Sequence, residues 1–97
     1  VEQLEQIIDE LERSLTPLTQ FILPGGSELS CRLHHARSVC RRAERRCVAL
    51  RHREPVGEHM LAFLNRLGDL LFAMARRANQ LDGVEDVIWK GQGTPDG

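Results

Sequence analysis

Apolar side chains recur at alternating steps of four and three residues along two long stretches of the chain. This spacing is typical of one face of an α-helix. In the first stretch the repeating positions are Leu29, Leu33, Ala36, Cys40, Ala43, Cys47 and Leu50. In the second stretch they are Met60, Leu64, Leu67, Leu71, Met74, Ala78 and Leu81. Helices of this length with a single apolar face must pack against other helices to bury it, so the pattern favours a helix bundle.

A shorter apolar repeat near the start predicts one more helix, which Pro17 should end because proline cannot continue a helical hydrogen-bond pattern. Its repeating positions are Leu4, Ile8, Leu11 and Leu15. The segment 21–26 is expected to be a structured loop, because it ends in a Pro-Gly-Gly turn. No stretch shows the alternation expected of a strand. We therefore predict an all-α, antiparallel helix bundle with residues 1–97 as a single helical domain.

Local signals mark the ends of the two longer helices. Ser27 is a suitable N-cap for the second helix, and Glu28 then stands in its first turn, where a negative charge is favourable. Pro55 and Gly57 are expected to break this helix, and Asp82 followed by glycine is expected to end the next one.

Composition excludes several classes of protein. The 97 residues are 41% hydrophobic and 28% charged, which argues against a disordered chain. No apolar run approaches the roughly 20 residues that a transmembrane helix needs, and no signal peptide is visible. We expect a cytoplasmic protein with no membrane partner. The three cysteines, Cys31, Cys40 and Cys47, include no CxxC pair. Cys40 and Cys47 are seven residues apart, and we expect these two to be core residues in a reducing compartment.

Arginine dominates the basic residues and is concentrated in the second helix. Twelve of the thirteen Lys and Arg residues are arginine, and eight of these lie between Arg32 and Arg53. Arginine is favoured where planar, bidentate contact with phosphate or carboxylate is needed. A GC-rich genome that prefers arginine codons would give the same composition. A nucleic-acid-binding helical domain is a weaker alternative, because the net charge is only −1.

Helical spacing brings several of these charges together. Arg37, Arg41 and Glu44 are spaced i, i+4, i+7, so they share a narrow sector beside the apolar stripe, with Arg45 next to them. Guanidinium groups that flank a buried seam could bind a polyanion such as a triphosphate. A solvated, salt-bridged helix face is the alternative interpretation.

The third helix carries a second stripe with a mixed character. It consists of Asn65, Asp69, Phe72 and Arg76, which the spacing places well away from the apolar seam. A phenylalanine on such a face indicates a second interface or a ligand pocket, although single exposed phenylalanines are common. His34 and His35 have no further ligand at metal-binding spacing, so we predict no protein metal site. No Walker-type phosphate loop or Rossmann fingerprint is present.

Three strings in this order resemble the PduO-type ATP:corrinoid adenosyltransferases: Phe21-Ile-Leu-Pro-Gly-Gly, the segment 33–45 (LHHARSVCRRAER) and the segment 64–72 (LNRLGDLLF). The resemblance implies a five-helix bundle that forms homotrimers, with active sites between subunits. It also implies that ATP binds with Mg²⁺ and that cob(I)alamin attacks the ribose C5′ and displaces triphosphate. No nucleic acid partner is implied.

The resemblance also assigns roles to individual residues. It implies that the catalytic residue is Arg41 and that ATP is bound by Arg41, Arg42, Glu44, Arg45 and Asn65. Phe21 and Phe72 are implied to contact cobalamin, Phe21 at the lower face of the corrin. Arg37 and Asp69 are implied to lie at the subunit interface.

The family's N-terminal ATP loop, rich in glycine and threonine, has no counterpart in the 97 residues, and neither has the aspartate that would pair with Arg37. The chain therefore resembles the C-terminal half of such an enzyme. A non-catalytic helical interaction module or a degenerate homologue remains the alternative.

Overall fold

Three helices form where the apolar repeats predict them, and two short strands pair beside them. The computed structural model describes residues 1–18, 21–51, 53 and 57–88. The elements in chain order are α1 (Glu2–Arg13), β1 (Ile22–Leu23), α2 (Glu28–Leu50), α3 (Glu58–Leu81) and β2 (Val87–Ile88). Among the described residues, none of these helices is long and apolar enough to cross a membrane.

The ends of the helices follow from local chemistry. The Ser27 hydroxyl accepts a hydrogen bond from the backbone N–H of Ser30 at 3.1 Å, which confirms the predicted N-cap of α2. Gly83 follows α3 with φ +67°, a conformation that glycine adopts readily. The first helix ends at Arg13, so Leu15 lies beyond it. Pro55, the predicted breaker of α2, lies outside the described residues.

Helix α3 is the central element, because both other helices pack against it. Between α2 and α3 the Cys40 thiol donates to the backbone oxygen of Leu64 at 3.2 Å, and His34 lies against Phe72. His34, which is earlier in α2 than Cys40, contacts Phe72, which is later in α3 than Leu64. The two helices are therefore antiparallel. The predicted helical bundle is therefore confirmed.

The core of this bundle consists mainly of small side chains. The buried hydrophobic residues are Ile8, Cys40, Ala73, Ala75 and Ala78. The prediction that the whole apolar repeat of α3 forms the core is wrong, since Met60 is 52% exposed and Leu81 is 69% exposed. A periodic pattern shows which side chains share a face, but it does not show how much of that face a neighbouring helix covers.

The cysteines do not behave alike. Cys40 is buried as predicted, Cys47 is half-buried, and Cys31, for which no core position was predicted, is exposed. Burial, with Glu44 nearby, raises the pKa of the Cys40 thiol. This keeps Cys40 protonated and unreactive, which suits a packing role.

The two strands are the element that the sequence pattern did not reveal. They form an antiparallel ladder in which Ile22 pairs with Ile88 and Leu23 pairs with Val87. Two residue pairs are too few to produce a recognisable alternation in the sequence. The ladder joins the loop before α2 to the segment after α3, and Phe21 stands immediately before it.

Candidate functional site

Four arginines on two successive turns of α2 form what we call the arginine cluster: Arg37, Arg41, Arg42 and Arg45. Within the described part of the chain, none of the four forms an ion pair. By contrast, Arg32 on the same helix pairs with Glu28 at 2.8 Å. The four side chains are therefore not salt-bridged, and their charge remains available to an anionic ligand. Arg41, Arg42 and Arg45 are exposed to solvent.

The cluster contains one acid, Glu44, and this acid is bound to the next helix. The Asn65 side-chain amide on α3 donates to a Glu44 carboxylate oxygen at 3.2 Å. Two residues implied to bind ATP thus meet although they are 21 positions apart. Arg41 also lies beside α3, since a Cβ built on Gly68 would stand 4.0 Å from Arg41 Cγ. Arg41, Glu44 and Asn65 therefore lie together where α2 packs against α3.

Phe72 lies between two side chains of α2. The Arg37 guanidinium stands 4.8 Å from the centre of the Phe72 ring, which is a cation–π contact. The His34 ring meets Phe72 edge to face, with the ring centres 5.9 Å apart. Burial and the nearby Arg41 lower the pKa of Arg37, while Asp69 acts in the opposite direction. Arg37 is thus held in place by an aromatic ring rather than by a bonded acid.

This arrangement corrects the expectation for the stripe on α3. We predicted that the stripe faces away from the apolar seam, yet Asn65 and Phe72 both contact α2. Arg76 is only 9% exposed and donates to the Asp86 carboxylate at 3.0 Å and to the Thr16 backbone oxygen at 2.6 Å. Its role is to fasten two connecting segments to α3. The angular position of the stripe around α3 did not predict these contacts, because α1 and α2 cover α3 on different sides.

Asp69 lies on the side of α3 that faces α1. In the described residues its carboxylate accepts from Arg66 at 2.8 Å, and Arg66 also pairs with Glu5 of α1 at 3.3 Å. Asp69 and Phe72 line a groove of about 600 Å³ between α1 and α3. The arginine cluster lies outside this groove.

His34 is a site residue for which sequence reasoning gave only a negative result. It is 3% exposed, and its Nε2 has no hydrogen-bond partner among the described residues, as is also true of the buried Ser30 hydroxyl one turn earlier. Burial and the adjacent Arg37 lower the pKa of His34, while Asp86 raises it. The imidazole is therefore neutral at pH 7. The signal in the sequence that could have identified this site residue was a histidine on the side of α2 that faces α3.

Phe21 is 73% exposed at the start of β1. An aromatic ring of this exposure is able to contact a flat apolar ligand. Among the described residues, no group of three or more His, Cys, Asp or Glu side chains could hold a metal ion.

A protein-family model for cobalamin adenosyltransferases matches residues 1–78. The chain belongs to this family. It is 47% identical over 87 residues to the human corrinoid adenosyltransferase MMAB, covering 90% of this chain and 35% of that protein. It is 48% identical over 87 residues to the corrinoid adenosyltransferase of Bacillus subtilis, covering 90% of this chain and 45% of that one.

Solved adenosyltransferase structures share the fold. A variant of the PduO-type ATP:corrinoid adenosyltransferase from Lactobacillus reuteri, complexed with cobalamin and ATP, has a TM-score of 0.87 and 40% identity. The match covers 92% of this chain and 49% of that one. The resemblance drawn from the three sequence strings is therefore confirmed. The chain spans about half the length of its bacterial relatives and about a third of the mammalian ones.

Proposed function

We propose that the full protein transfers the 5′-deoxyadenosyl group of ATP to cob(I)alamin, giving adenosylcobalamin and triphosphate. Membership of the family and the ATP and cobalamin bound to the Lactobacillus reuteri enzyme support this proposal. The observation that carries it is the arginine cluster, which has no ion pair in the described structure and stands beside the bridge between Glu44 and Asn65.

Three members of the arginine cluster, Arg41, Arg42 and Arg45, are proposed to bind the triphosphate of ATP. The cobalt(I) electron pair would form the bond to C5′ while the bond between C5′ and its oxygen breaks, and triphosphate would leave with the electron pair of that C–O bond. Negative charge therefore increases on the leaving oxygen in the transition state. Guanidinium groups of Arg41, Arg42 and Arg45 would stabilise this charge, since they remain protonated and bind phosphate oxygens in a fork. Arg41 is the catalytic residue in this proposal.

Glu44 and Asn65 are proposed to complete the nucleotide site. The amide of Asn65 holds the Glu44 carboxylate at the edge of the cluster, where it can keep the guanidinium groups apart and oriented. Mg²⁺ in such sites is bound mainly by phosphate oxygens, water and one or two carboxylates. Glu44 is the carboxylate that fits this role. The ion would neutralise part of the charge on the triphosphate.

Phe21 and Phe72 are proposed to serve the corrinoid. An aromatic ring at the lower face of the corrin would exclude water and a lower cobalt ligand, which makes reduction to cobalt(I) easier. The phenylalanine and the arginine replaced in the Lactobacillus reuteri variants are twenty positions apart in that protein, as Phe21 and Arg41 are here. Phe72 is already held by His34 and Arg37 and would form a wall near the corrin.

The assembly and location are part of the same proposal. A homotrimer would place Arg37 and Asp69 at an interface between subunits, with each site completed by a neighbouring chain. A cytoplasmic location is consistent with the free cysteines.

The direct test uses the full-length protein with ATP and chemically reduced cob(I)alamin. We expect adenosylcobalamin, followed by its absorption spectrum, to form together with an equal amount of triphosphate. A calorimetric titration with ATP provides the matched binding measurement. A protein that binds ATP but forms no adenosylcobalamin would be a degenerate homologue. A protein that binds neither substrate would be an interaction module, and either result would overturn the proposal.

A further inference from the structure

The strand that follows Phe21 cannot fix the position of this ring without help. The ladder between β1 and β2 has two residue pairs, and an isolated two-stranded ladder is marginally stable even when longer. Leu23 and Val87 in this ladder are each partly exposed, so little apolar burial supports it. Another part of the molecule must therefore anchor the loop.

That anchor is the side chain of Asn79 on α3, which is 1% exposed. Its Oδ1 accepts from the backbone N–H of Ser27 at 2.8 Å, and its Nδ2 donates to the backbone oxygen of Gly25 at 3.3 Å. Nδ2 also donates to the Asp86 carboxylate at 3.0 Å. One amide thus holds the turn that follows β1 and the residue that precedes β2.

The surrounding residues are matched to this amide. Gly26 has φ +97°, and a Cβ at this position would overlap the Asn79 side chain, so only glycine lets the turn approach so closely. The second carboxylate oxygen of Asp86 accepts from Arg76, which fixes Asp86 in turn. A buried network in which every member is bonded makes one arrangement of the loop strongly preferred.

We infer that Asn79 is the positioning residue for Phe21. It touches neither substrate and acts by fixing the loop that presents the ring to the corrin. This inference rests on the proposed role of Phe21. It assigns to the C-terminal end of α3 a role in the corrinoid step but none in ATP binding.

The experiment compares variants of the full-length protein by the fraction of four-coordinate cob(II)alamin formed in the presence of ATP, measured by paramagnetic resonance. Asn79→Ala should lower this fraction about two- to tenfold, the range expected when a hydrogen bond that sets a conformation is lost. ATP affinity should not change. Gln80→Ala is the matched control, because Gln80 is adjacent and also donates to a loop carbonyl, that of Ser14, rather than to the turn that follows β1. It should leave the fraction unchanged.

Phe21→Ala separates this inference from the proposed function. If Phe21→Ala leaves the four-coordinate fraction intact, the proposed role of Phe21 fails whatever Asn79 does. If Phe21→Ala lowers the fraction but Asn79→Ala does not, only the positioning role is overturned. The double variant should be no worse than Phe21→Ala alone, since Asn79 acts through the ring.

Foldedness is checked by circular dichroism. Should Asn79→Ala fail to fold, the same measurement is made on Asn79→Asp, which has the same shape and keeps the acceptor for Ser27. If neither variant folds, Asn79 is a structural residue and the inference is wrong.

Discussion

Arg41 and Arg46 lie on the same helix but have different surroundings. The stem of Arg41 runs beside Gly68 of α3, close to the bridge between Glu44 and Asn65. Arg46 is also exposed, but it lies about 140° further round the helix. Replacing each of these two arginines with lysine keeps the charge and changes only the shape of the cation. The two substitutions together therefore test the nucleotide site.

Arg41→Lys in the full-length protein should lower turnover with ATP by about ten- to a hundredfold, because lysine loses the bidentate fork and a charge-assisted contact is worth about 1.5–3 kcal/mol. The free energy of unfolding should change by less than about 0.5 kcal/mol. Arg46→Lys is the control and should retain turnover. Two silent substitutions would make the cluster a solvated surface, and unfolding of Arg41→Lys would make the residue structural.

Because His34 is buried and its pKa is lowered, we expect the free energy of unfolding to depend on pH. Burial and Arg37 lower its pKa in the folded protein below the usual 6.5, against the opposing effect of Asp86. Between the folded pKa and 6.5 the unfolded chain binds more protons than the folded one, so the free energy of unfolding falls as the pH drops through this window.

His34→Leu should therefore flatten the dependence of the unfolding free energy on pH between about pH 5 and 7, a range in which histidine is the main titrating side chain. Urea denaturation at several pH values measures this slope. His35→Leu, at the neighbouring exposed position, is the control and should keep the wild-type slope. If His34→Leu also keeps the wild-type slope, His34 does not contribute to the pH dependence of the unfolding free energy.

At the scale of the elements, the sequence predicted those features whose stabilising contacts join residues close together in the chain. Helix α2 was predicted with its N-cap, because the apolar repeat and Ser27 act within a few residues of each other. The ladder of β1 and β2 was missed, since Ile22 and Ile88 are far apart in the chain and each strand has only two residues. Asn79 was missed for the same reason: its partners are 52 and 54 positions away.

The candidate site shows the same division. Spacing on α2 predicts that Arg37, Arg41, Glu44 and Arg45 share one sector of the helix, because one helix alone determines their arrangement. The contact of Asn65 with Glu44 depends on how α2 packs against α3, and periodicity in one helix does not specify the rotation of another. Arg76 was misplaced on these grounds.

Gly68 allows a test of helix packing. It lies inside α3, and a Cβ there would make ordinary contacts of 4.0 Å with Arg41 Cγ and Cys40 Sγ. Gly68→Ala should raise the free energy of unfolding by about 0.5–1 kcal/mol, because alanine restricts the unfolded chain and favours the helix. Thermal unfolding of the full-length protein measures the change. Gly26→Ala is the contrasting variant and should destabilise by more than about 1 kcal/mol. A destabilised Gly68→Ala would mean that α2 and α3 lie closer together than described.

At the scale of the whole molecule, the described structure leaves much apolar surface exposed. Large hydrophobic side chains on the outer sides of α2 and α3 are each more than a third accessible; they include Leu29, Val39, Val48, Leu50, Met60, Phe63 and Leu81. Soluble proteins rarely keep so many such side chains in contact with water. Since the relatives are two to three times as long, we expect further helices of the full protein and neighbouring subunits to cover these surfaces.

The last prediction concerns that assembly. Arg37 is half-buried, has no ion pair among the described residues and is held against Phe72, so its charge is available to an acid from a neighbouring chain. Sedimentation equilibrium of the full-length protein should give a trimer at micromolar concentration. Arg37→Gln removes the charge but keeps a planar polar end, and losing one partner of a desolvated pair costs about 2–5 kcal/mol. We therefore expect this variant to dissociate at concentrations where the wild type does not.

Arg32→Gln is the matched control, because Arg32 is exposed on the same helix and already paired with Glu28. A surface pair of this kind is worth less than about 1 kcal/mol, so its loss should leave assembly unchanged. A monomeric wild-type protein would contradict the trimer itself. A trimeric wild type whose Arg37→Gln variant dissociates no more readily would keep the assembly but remove Arg37 from the interface. In that case the contact with Phe72 would be the whole role of Arg37.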